Sequence, residues 1–423
     1  MTPSGQVGRV GPAGGEDGAE ASEPADAPHL PDAVADPWWS RPLPPVVWGA
    51  GVLAVLGWIV VRLVEGQITQ VDRVQQYQLV EGLASGRFKG SLRGLNSQAS
   101  PPGYGFFALP FHLVFERFAP THNFYVPNDG WYVAGYAALL ILAVVVVLSL
   151  RAVGVPRRSA TELIGLASAV GGGATLACYT ESYHPSDVLA TACTLLAGLA
   201  VLRQRWAWAA AALGFGLLCK QWVIVPIAVL AALSGGRARV WLVAGSGAIF
   251  AAVVAPFLAT DRQGTMEAIR AFEVGPTSRT IYSHITVLLT QDRIGVESRI
   301  VPLVVVAGVC VWLIRARPAI TPELVFGALA ATMLVRPLFD AAGYAYYAAP
   351  GLVLIAVFSR DWRWPIASLV SGVVINAMAK RAYLYEPWWP AAVNLVLILA
   401  LVLATFARLH RLVGTREVRV APA

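Results

Sequence analysis

Apolar runs separated by short polar segments recur along most of this chain. A helix needs about 20 mainly apolar residues to cross the hydrocarbon core of a bilayer. Each run of this kind predicts a membrane-spanning helix, at 46–63, 131–150, 160–178, 187–202, 240–258, 300–314, 322–335, 344–359, 364–379 and 389–407. The pattern therefore predicts an all-α polytopic membrane protein.

The run 207–233 differs from the others because the polar segment Cys219-Lys-Gln-Trp222 interrupts it in the middle. A single helix would place Lys220 at the centre of the bilayer, at a cost of about 2.5–3.5 kcal/mol. Two half-length helices would instead bring Lys220 and Gln221 to one membrane face.

The arginines decide between these two interpretations, because arginine and lysine are enriched in cytoplasmic loops. If the run forms two helices, the arginines between apolar runs all fall on one side: Arg151 with Arg157 and Arg158, Arg203 with Arg205, Arg237 with Arg239, Arg315 with Arg317, Arg360 with Arg363, and Arg408 with Arg411. We therefore predict a bundle of about 12 transmembrane helices, two of them short, with both termini cytoplasmic.

This topology sets the predicted domain organisation. Residues 1–41 are rich in Gly, Ala, Pro, Glu and Asp and should form a disordered cytoplasmic tail, because such a segment cannot bury a core. Residues 42–412 form the transmembrane domain, and residues 413–423 form a second cytoplasmic tail.

The outer side of the predicted bundle receives two long loops, 64–130 and 259–299. Loops of this length usually have structure of their own. In the first loop, residues 77–85 fit a short helix and residues 106–118 fit a second helix that lies in the membrane interface.

Composition agrees with a membrane protein and excludes an ordinary soluble domain. Hydrophobic residues make up 57% of the 423 positions, and charged residues make up 13%, against about 25% in soluble domains. The mean hydropathy is +0.60. The net charge of +7 comes mainly from arginines between apolar runs, so it indicates membrane topology and no nucleic-acid partner. The four cysteines lie inside apolar runs and are interpreted as small buried hydrophobic residues.

Asp72 follows the first predicted span and heads the polar, aromatic stretch from Val71 to Glu81. Tyr77 and Glu81 are four residues apart and could therefore lie on the same face of a helix. The ordinary alternative for Asp72 is a solvated loop residue or an N-cap for the following helix. The functional alternative is a carboxylate that acts as a base at the membrane face.

The turn from Tyr179 to Asp187 contains more ionisable and aromatic side chains than a helix connection needs. They are two acids, a histidine and two tyrosines. Asp187 could cap the next helix, with Ser186 as an alternative cap, or it could contact the substrate. His184 is a candidate for a proton-transfer or phosphate contact.

Lys220 is one of only three lysines in the chain, and it occupies the break in the apolar run together with Gln221. A lysine near a membrane face can simply extend its ammonium group to water. Alternatively, its compact charge would suit a lipid phosphate.

The segment Arg336-Pro-Leu-Phe-Asp340, followed by Tyr344, Tyr346 and Tyr347, reaches the same predicted face. Arg336 could pair with Asp340 or bind a phosphate. Tyr346 is a candidate for substrate contact, and His284 in the second outer loop is a weaker one.

Several expected signatures of other chemistries do not occur in the sequence. There is no P-loop and no Rossmann glycine fingerprint, and Gly171-Gly-Gly173 lies inside an apolar run, where it favours close helix packing. There is no metal-ligand motif such as His-Glu-x-x-His. Nucleotide-sugar, ATP and zinc chemistry therefore have no support, and we expect neither a cofactor nor a metal.

Three stretches together give the chain a resemblance to the GT-C superfamily of polytopic glycosyltransferases. The first is the acid after span one, followed by Gln76 to Phe88 and then Pro101-Pro-Gly-Tyr104. The second is Tyr183-His-Pro-Ser-Asp187 before an Ala/Leu-rich helix, and the third is Gly214 to Trp222. The third is similar to a Leu-Leu-Thr-Lys-Gln segment of bacterial members. Within the superfamily, the chain most resembles family 87, the actinobacterial mannosyltransferases that use polyprenol-phosphate-mannose.

The resemblance covers roughly residues 46–360 and implies an inverting transferase that uses a polyprenyl-phosphate sugar donor. It implies mannose as the sugar, a lipid or cell-envelope glycan as the acceptor, and an active site on the outer face of the plasma membrane. Asp72 matches the acid that deprotonates the acceptor hydroxyl. Many relatives carry paired acids there, whereas Arg73 follows Asp72 in this chain, and this difference fits metal-free chemistry.

Two other functions are compatible with a polytopic chain of this kind. A transporter or lipid flippase would also have broken helices and buried charge. Against it, the polar residues gather at one face, and the two halves show no inverted repeat. A non-catalytic membrane scaffold with the same fold is the second alternative.

Overall fold

A computed structural model of the chain describes residues 38–65, 79–87, 102–118, 129–180, 184–270, 297–339, 345–385 and 388–414. Across these ranges the chain is helical and has no β-strand, apart from a single bridge between Pro42 and Ser159. The predicted all-α class is therefore confirmed.

The helices, in chain order, are α1 (Pro45–Glu65), α2 (79–84), α3 (Gly103–Phe118), α4 (Asp129–Ala152), α5 (Ala160–Gly171), α6 (Gly173–Thr180), α7 (Pro185–Leu202), α8 (Trp206–Cys219), α9 (Ile224–Leu233), α10 (Gly236–Thr260), α11 (Arg262–Arg270), α12 (Glu297–Ala316), α13 (Pro322–Phe339), α14 (Ala349–Ala356), α15 (Arg363–Tyr385) and α16 (Trp388–Gly414). Short 3-10 turns occupy Trp38–Ser40, Gln221–Val223 and Ala345–Ala348.

Every predicted span coincides with helix, with two local differences. The span 160–178 is broken at Gly172, whose extended backbone (ψ 146°) separates α5 from α6. The span 344–359 is shorter than predicted, because α14 begins only after a 3-10 turn. The two interfacial helices predicted for the first outer loop correspond to α2 and α3.

In the described ranges, six helical stretches are long and apolar enough to cross a membrane: Pro45–Arg62, Gly130–Ala152, Ala160–Thr180, Pro185–Leu202, Gly236–Thr260 and Ala392–Gly414. Shorter apolar helices include α8 and α9 with its preceding turn, which are the two half-length helices of the sequence prediction. The chain is thus a helical protein with several membrane-length apolar segments, and the count of twelve spans stays a prediction.

Packing contacts show that the chain reverses at Lys220. Gly245 of α10 approaches the Cβ of Ala210, and Gly214, one turn further along α8, packs against Ile249. Residue numbers therefore rise together along α8 and α10, which means that the two helices run parallel. The segment between them, α9, must run back in the opposite direction, as the predicted hairpin requires.

The end of the bundle that carries the arginine pairs is held by two carboxylates, one buried and one partly buried. Glu162 is 1% exposed, accepts from the Nε of Arg151 at 3.0 Å, and accepts from the backbone N–H of Arg158 at 2.7 Å. Glu323 accepts from Ser359 at 3.1 Å and from Arg408 at 3.2 Å. The first helices of the bundle and its last helices are each tied together by one such carboxylate.

Helix α1 runs from this arginine end towards the opposite end. The N–H of Leu43 donates to the carbonyl of Arg158, before α5 begins, and the indole of Trp58 donates to the carbonyl of Gly171, where α5 ends. The two helices are therefore parallel, and α1 finishes at the end of the bundle where α6 ends and α7 begins.

Burial differs sharply between helices in a way that suits a membrane bundle. Within Pro185–Leu202 of α7, 83% of the residues are buried. Within Pro45–Arg62 of α1, only 6% are buried. Val46 and Leu53 of α1 are 82% and 69% exposed. In water such a surface would be unfavourable, but lipid tails are as apolar as these side chains. We conclude that α7 is central and α1 is peripheral.

Cysteine labelling of purified, sealed vesicles tests the hairpin. Arg205→Cys and Arg237→Cys, both at exposed positions, should react with a membrane-impermeant maleimide from the same side. Gln263→Cys, beyond α10, should react only from the other side. Labelling of positions 205 and 237 from opposite sides would show that 207–233 crosses as one helix and would contradict the topology.

Candidate functional site

A buried ion pair lies at the tip of the α8–α9 hairpin. The Nζ of Lys220 is 2.9 Å from Oδ2 of Asp187, in the first turn of α7. The side chain of Asp187 is 3% exposed and that of Lys220 is 21% exposed. Asp187 is therefore almost fully enclosed, whereas part of the Lys220 side chain is accessible.

Local sequence explains why these charges meet. Helices α8 and α9 are almost entirely apolar, so the polar residues between them are displaced to the end of the bundle. Lys220 has extended backbone angles (φ −151°, ψ 131°), and its N–H still donates to the carbonyl of Gly216. The turn Gln221–Val223 then starts the return path, and the indole of Trp222 donates to Oδ1 of Asp187 at 2.9 Å.

The predicted alternative that Asp187 caps α7 is wrong. His184 is the N-cap residue, and no side chain caps this helix end; Pro185 follows it and needs no N–H partner. Ser186, the other proposed cap, is already inside the helix and is buried. The carboxylate of Asp187 instead forms an ion pair with Lys220 and accepts a hydrogen bond from Trp222, because an unpaired buried charge is much more costly than an uncapped helix terminus.

An imidazole and two aromatic rings extend the cluster towards Arg336. The Nδ1 of His184 is 3.4 Å from the Nζ of Lys220, and its ring centroid is 4.7 Å from that of Tyr346. The ring of Tyr346 meets that of Tyr347 edge to face at 4.7 Å. The guanidinium of Arg336 lies over the Tyr347 ring, 4.7 Å from its centroid. A continuous wall thus joins the ends of α7, α8 and α13.

The charges in this cluster favour an anionic ligand. Among the described residues of the cluster, and with His184 counted as neutral, the two cations Lys220 and Arg336 and the carboxylate of Asp187 leave one net positive charge. A phosphodiester carries one negative charge, and a departing phosphate gains a second. Arg336 presents a planar array of donors, and Lys220 a compact charge, both suited to phosphate oxygens.

Helix α3 packs directly against the base of this site. A Cβ atom on Gly103 would lie 2.6 Å from the carbonyl carbon of Leu218 and 2.7 Å from the N of Cys219. Tyr104 is buried beside it, in edge-to-face contact with Trp131 of α4 at 4.9 Å. Only glycine permits this approach, so residue 103 sets the position of the backbone that carries Lys220.

A second polar cluster lies between α2 and α3. The Nε2 of the buried His112 is 3.4 Å from Oε1 of Glu81, and Glu116 follows one turn later on α3. One ligand atom from each of the three residues lies within 4.8 Å of the others. The sequence analysis found no metal-ligand cluster, but the structure brings three potential ligands together here.

The structure unites most of the predicted site residues that it describes. His184, Asp187, Lys220, Arg336 and Tyr346 belong to one cluster, with Gln221 in the adjoining turn. Glu81 belongs to the cluster with His112. The predicted base Asp72, together with Tyr77, His284 and the possible Arg336 partner Asp340, lies outside the described residues.

Sequence reasoning missed four residues of these clusters: Trp222, Tyr347, His112 and Glu116. The first two were named only as neighbours of Lys220 and Tyr346. The i, i+4 spacing of His112 and Glu116 in a predicted helix was the available signal for a ligand pair.

Comparisons with known proteins add no identification: no protein-family model matches the chain, and a search of curated proteins finds no significant match. The functional argument therefore depends on the geometry and chemistry of the site.

Gly103→Ala should displace α3 from the hairpin tip. The new methyl group would overlap backbone atoms, which cannot rotate away, and overpacking of this kind costs about 1–3 kcal/mol. Gly57→Ala in α1, where nothing lies within 4 Å of the added atom, is the control. Thermal unfolding in detergent checks the difference, and equal midpoints for both variants would contradict the close packing.

Lys220→Met should lower stability because it leaves the Asp187 carboxylate buried and unpaired, at a cost of about 3–5 kcal/mol. The double variant Lys220→Met with Asp187→Asn should recover most of this loss, since both charges are then absent and the Asn oxygen can still accept from Trp222. Thermal unfolding of the two single variants and the double variant measures the coupling. Additive losses would show that the pair does not interact.

Proposed function

We propose that this chain is an integral membrane glycosyltransferase. It moves a sugar, with mannose as the first candidate, from a polyprenyl-phosphate donor to a lipid or cell-envelope glycan acceptor. The active site faces the outside of the plasma membrane. The observation that carries the proposal is the buried Lys220–Asp187 pair with His184 and Arg336 around it, at the end of the bundle opposite the arginine pairs.

Lys220 and Arg336 hold the donor phosphate in this proposal. The described residues of the cluster carry one net positive charge, which suits the single negative charge of a sugar phosphodiester. Asp187 is a positioning residue: its contacts with Lys220 and Trp222 fix the direction of the ammonium group. His184 reaches the same ammonium group and can contact a phosphate oxygen. Gln221 and Tyr346 line the adjoining wall, where sugar hydroxyls would lie.

The reaction is a single displacement with inversion. The acceptor oxygen attacks the anomeric carbon while the bond from that carbon to the phosphate oxygen breaks, and the electron pair leaves with the polyprenyl phosphate. Asp72 takes the acceptor proton. The phosphate gains charge as the bond breaks, so cations held nearby stabilise the transition state more than the ground state.

The direction in which α1 runs supports a role for Asp72 as the base. Helix α1 finishes at the end of the bundle where α6 ends and α7 begins, and Asp72 follows α1 after a few residues. The first outer loop also supplies α3, whose Gly103 packs against the hairpin tip. Glu81, Tyr77 and His284 remain candidates for acceptor contacts.

A transporter is the second candidate because α8 and α9 form a broken helical pair with a charged tip, which is a feature of many transporters. A transporter would move an intact lipid or solute and release no polyprenyl phosphate. A transfer assay therefore separates the two functions.

The decisive experiment incubates the purified full chain in nanodiscs with labelled polyprenyl-phosphate mannose, glucose or arabinose and a membrane-lipid extract. Labelled product and free polyprenyl phosphate should form from one of these donors. Asp72→Asn should lower the turnover about 10²–10⁴-fold, as expected for loss of a positioned base. Asp361→Asn, at the arginine end of the bundle, is the matched control.

Donor binding is measured separately in the same nanodiscs. The charge-neutral double variant Lys220→Met with Asp187→Asn should keep its fold but bind the donor about 10–100-fold more weakly, because a charge-assisted bond to phosphate is lost. Arg205→Met, exposed at the other end, should bind normally. Unchanged donor affinity in the double variant, or no transfer from any of the three donors, would contradict the proposal.

A further inference from the structure

The cluster of Glu81, His112 and Glu116 has the composition and spacing of a metal site. His112 and Glu116 are four residues apart on α3 and therefore share one helical face. Glu81 comes from α2, across the interface between the two helices. One potential ligand atom from each residue lies within 4.8 Å of the other two.

The distance between His112 and Glu81 fits two ligands of one ion better than a direct bond. Their Nε2 and Oε1 atoms are 3.4 Å apart. A charge-assisted hydrogen bond is usually about 2.7–2.9 Å long. Two ligands that bind a tetrahedral ion, each at about 2.0–2.2 Å, lie about 3.4 Å from one another.

Burial and charge also favour a cation. His112 is 2% exposed, and Glu81 and Glu116 are half-buried, so the two carboxylates lie in a partly water-excluded interface. One imidazole nitrogen and two carboxylates are a ligand set that suits a divalent cation. Within the described residues, this is the only group of three His, Cys, Asp or Glu side chains with such spacing.

The backbone that carries the ligands is fixed by packing. Leu79 and Leu83 of α2 pack against Gly105 of α3 and form a small core with Phe257 of α10. Gly130 at the start of α4 approaches the carbonyl of Phe111, next to His112. Packing therefore fixes the backbone positions of the ligands before any ion binds. This lowers the entropic cost of binding the ion.

From these observations we propose that Glu81, His112 and Glu116 form a Zn²⁺ site that clamps α2 onto α3. One imidazole and two carboxylates are ligands that suit zinc, and three protein ligands leave the fourth position for water. Zinc binding would hold α2, which follows Asp72 closely in the sequence, against α3. The inference does not depend on the proposed glycosyl transfer.

Isothermal titration of the tag-free, chelator-treated full chain with ZnCl₂ tests the site. The unaltered protein should bind one equivalent of Zn²⁺. Glu116→Gln and His112→Ala should each weaken binding by more than about 100-fold, since loss of a supporting residue alone typically costs 10–100-fold. His410→Ala, at an exposed position in α16, should bind as the unaltered protein does.

Structural controls make the result decisive. Glu116→Gln keeps the size of a half-buried side chain, so its elution volume and unfolding midpoint without metal should match those of the unaltered protein. X-ray absorption of the zinc-loaded protein should show one nitrogen and two carboxylate ligands, with no sulfur. Absence of Zn²⁺ binding, equal affinity in all variants, or tighter binding of Mn²⁺ than of Zn²⁺ would overturn the proposal.

Discussion

The attraction between Lys220 and Asp187 constrains the whole end of the bundle at which they meet. Neither charge could be buried alone among apolar helices, because an unpaired ion in such surroundings costs several kcal/mol. Helix α8 therefore ends just before Lys220, the chain turns back, and α7 begins where its first turn can supply the carboxylate. The contacts of His184 and Trp222 follow from this arrangement. A site with a partly accessible lysine is its result.

The two ends of the bundle use carboxylates in different ways. At the arginine end, Glu162 and Glu323 each accept from groups on other helices and fasten neighbouring segments together. At the opposite end, Asp187 forms an ion pair with Lys220, whose side chain stays partly accessible. The first arrangement suits anchoring and the second suits ligand binding. Long apolar helices separate them, as expected when a bilayer lies between two polar faces.

The sequence was sufficient to predict those structural features that depend on local properties of the chain. The length of an apolar run is a local property, so the helices were predicted with small errors at their ends. Lys220 in an apolar run, together with the arginine pattern, was sufficient to predict the hairpin.

The partner of Lys220 was not predictable, because Asp187 satisfies a plausible local role as a cap and its true role depends on how α7 packs beside α8. The ligands Glu81 and His112 likewise meet only through the packing of α2 on α3. The break at Gly172 had no sequence signal beyond the glycines themselves.

Helix α3 touches both polar clusters, and this has a mechanical consequence. Its first residue, Gly103, abuts the backbone before Lys220, while His112 lies roughly two and a half turns further along the same helix, or about 13 Å. Pro110 lies between them and removes one backbone hydrogen bond, so the helix can bend there. A displacement of the histidine end therefore reaches the hairpin tip through α3, reduced by any bending at Pro110.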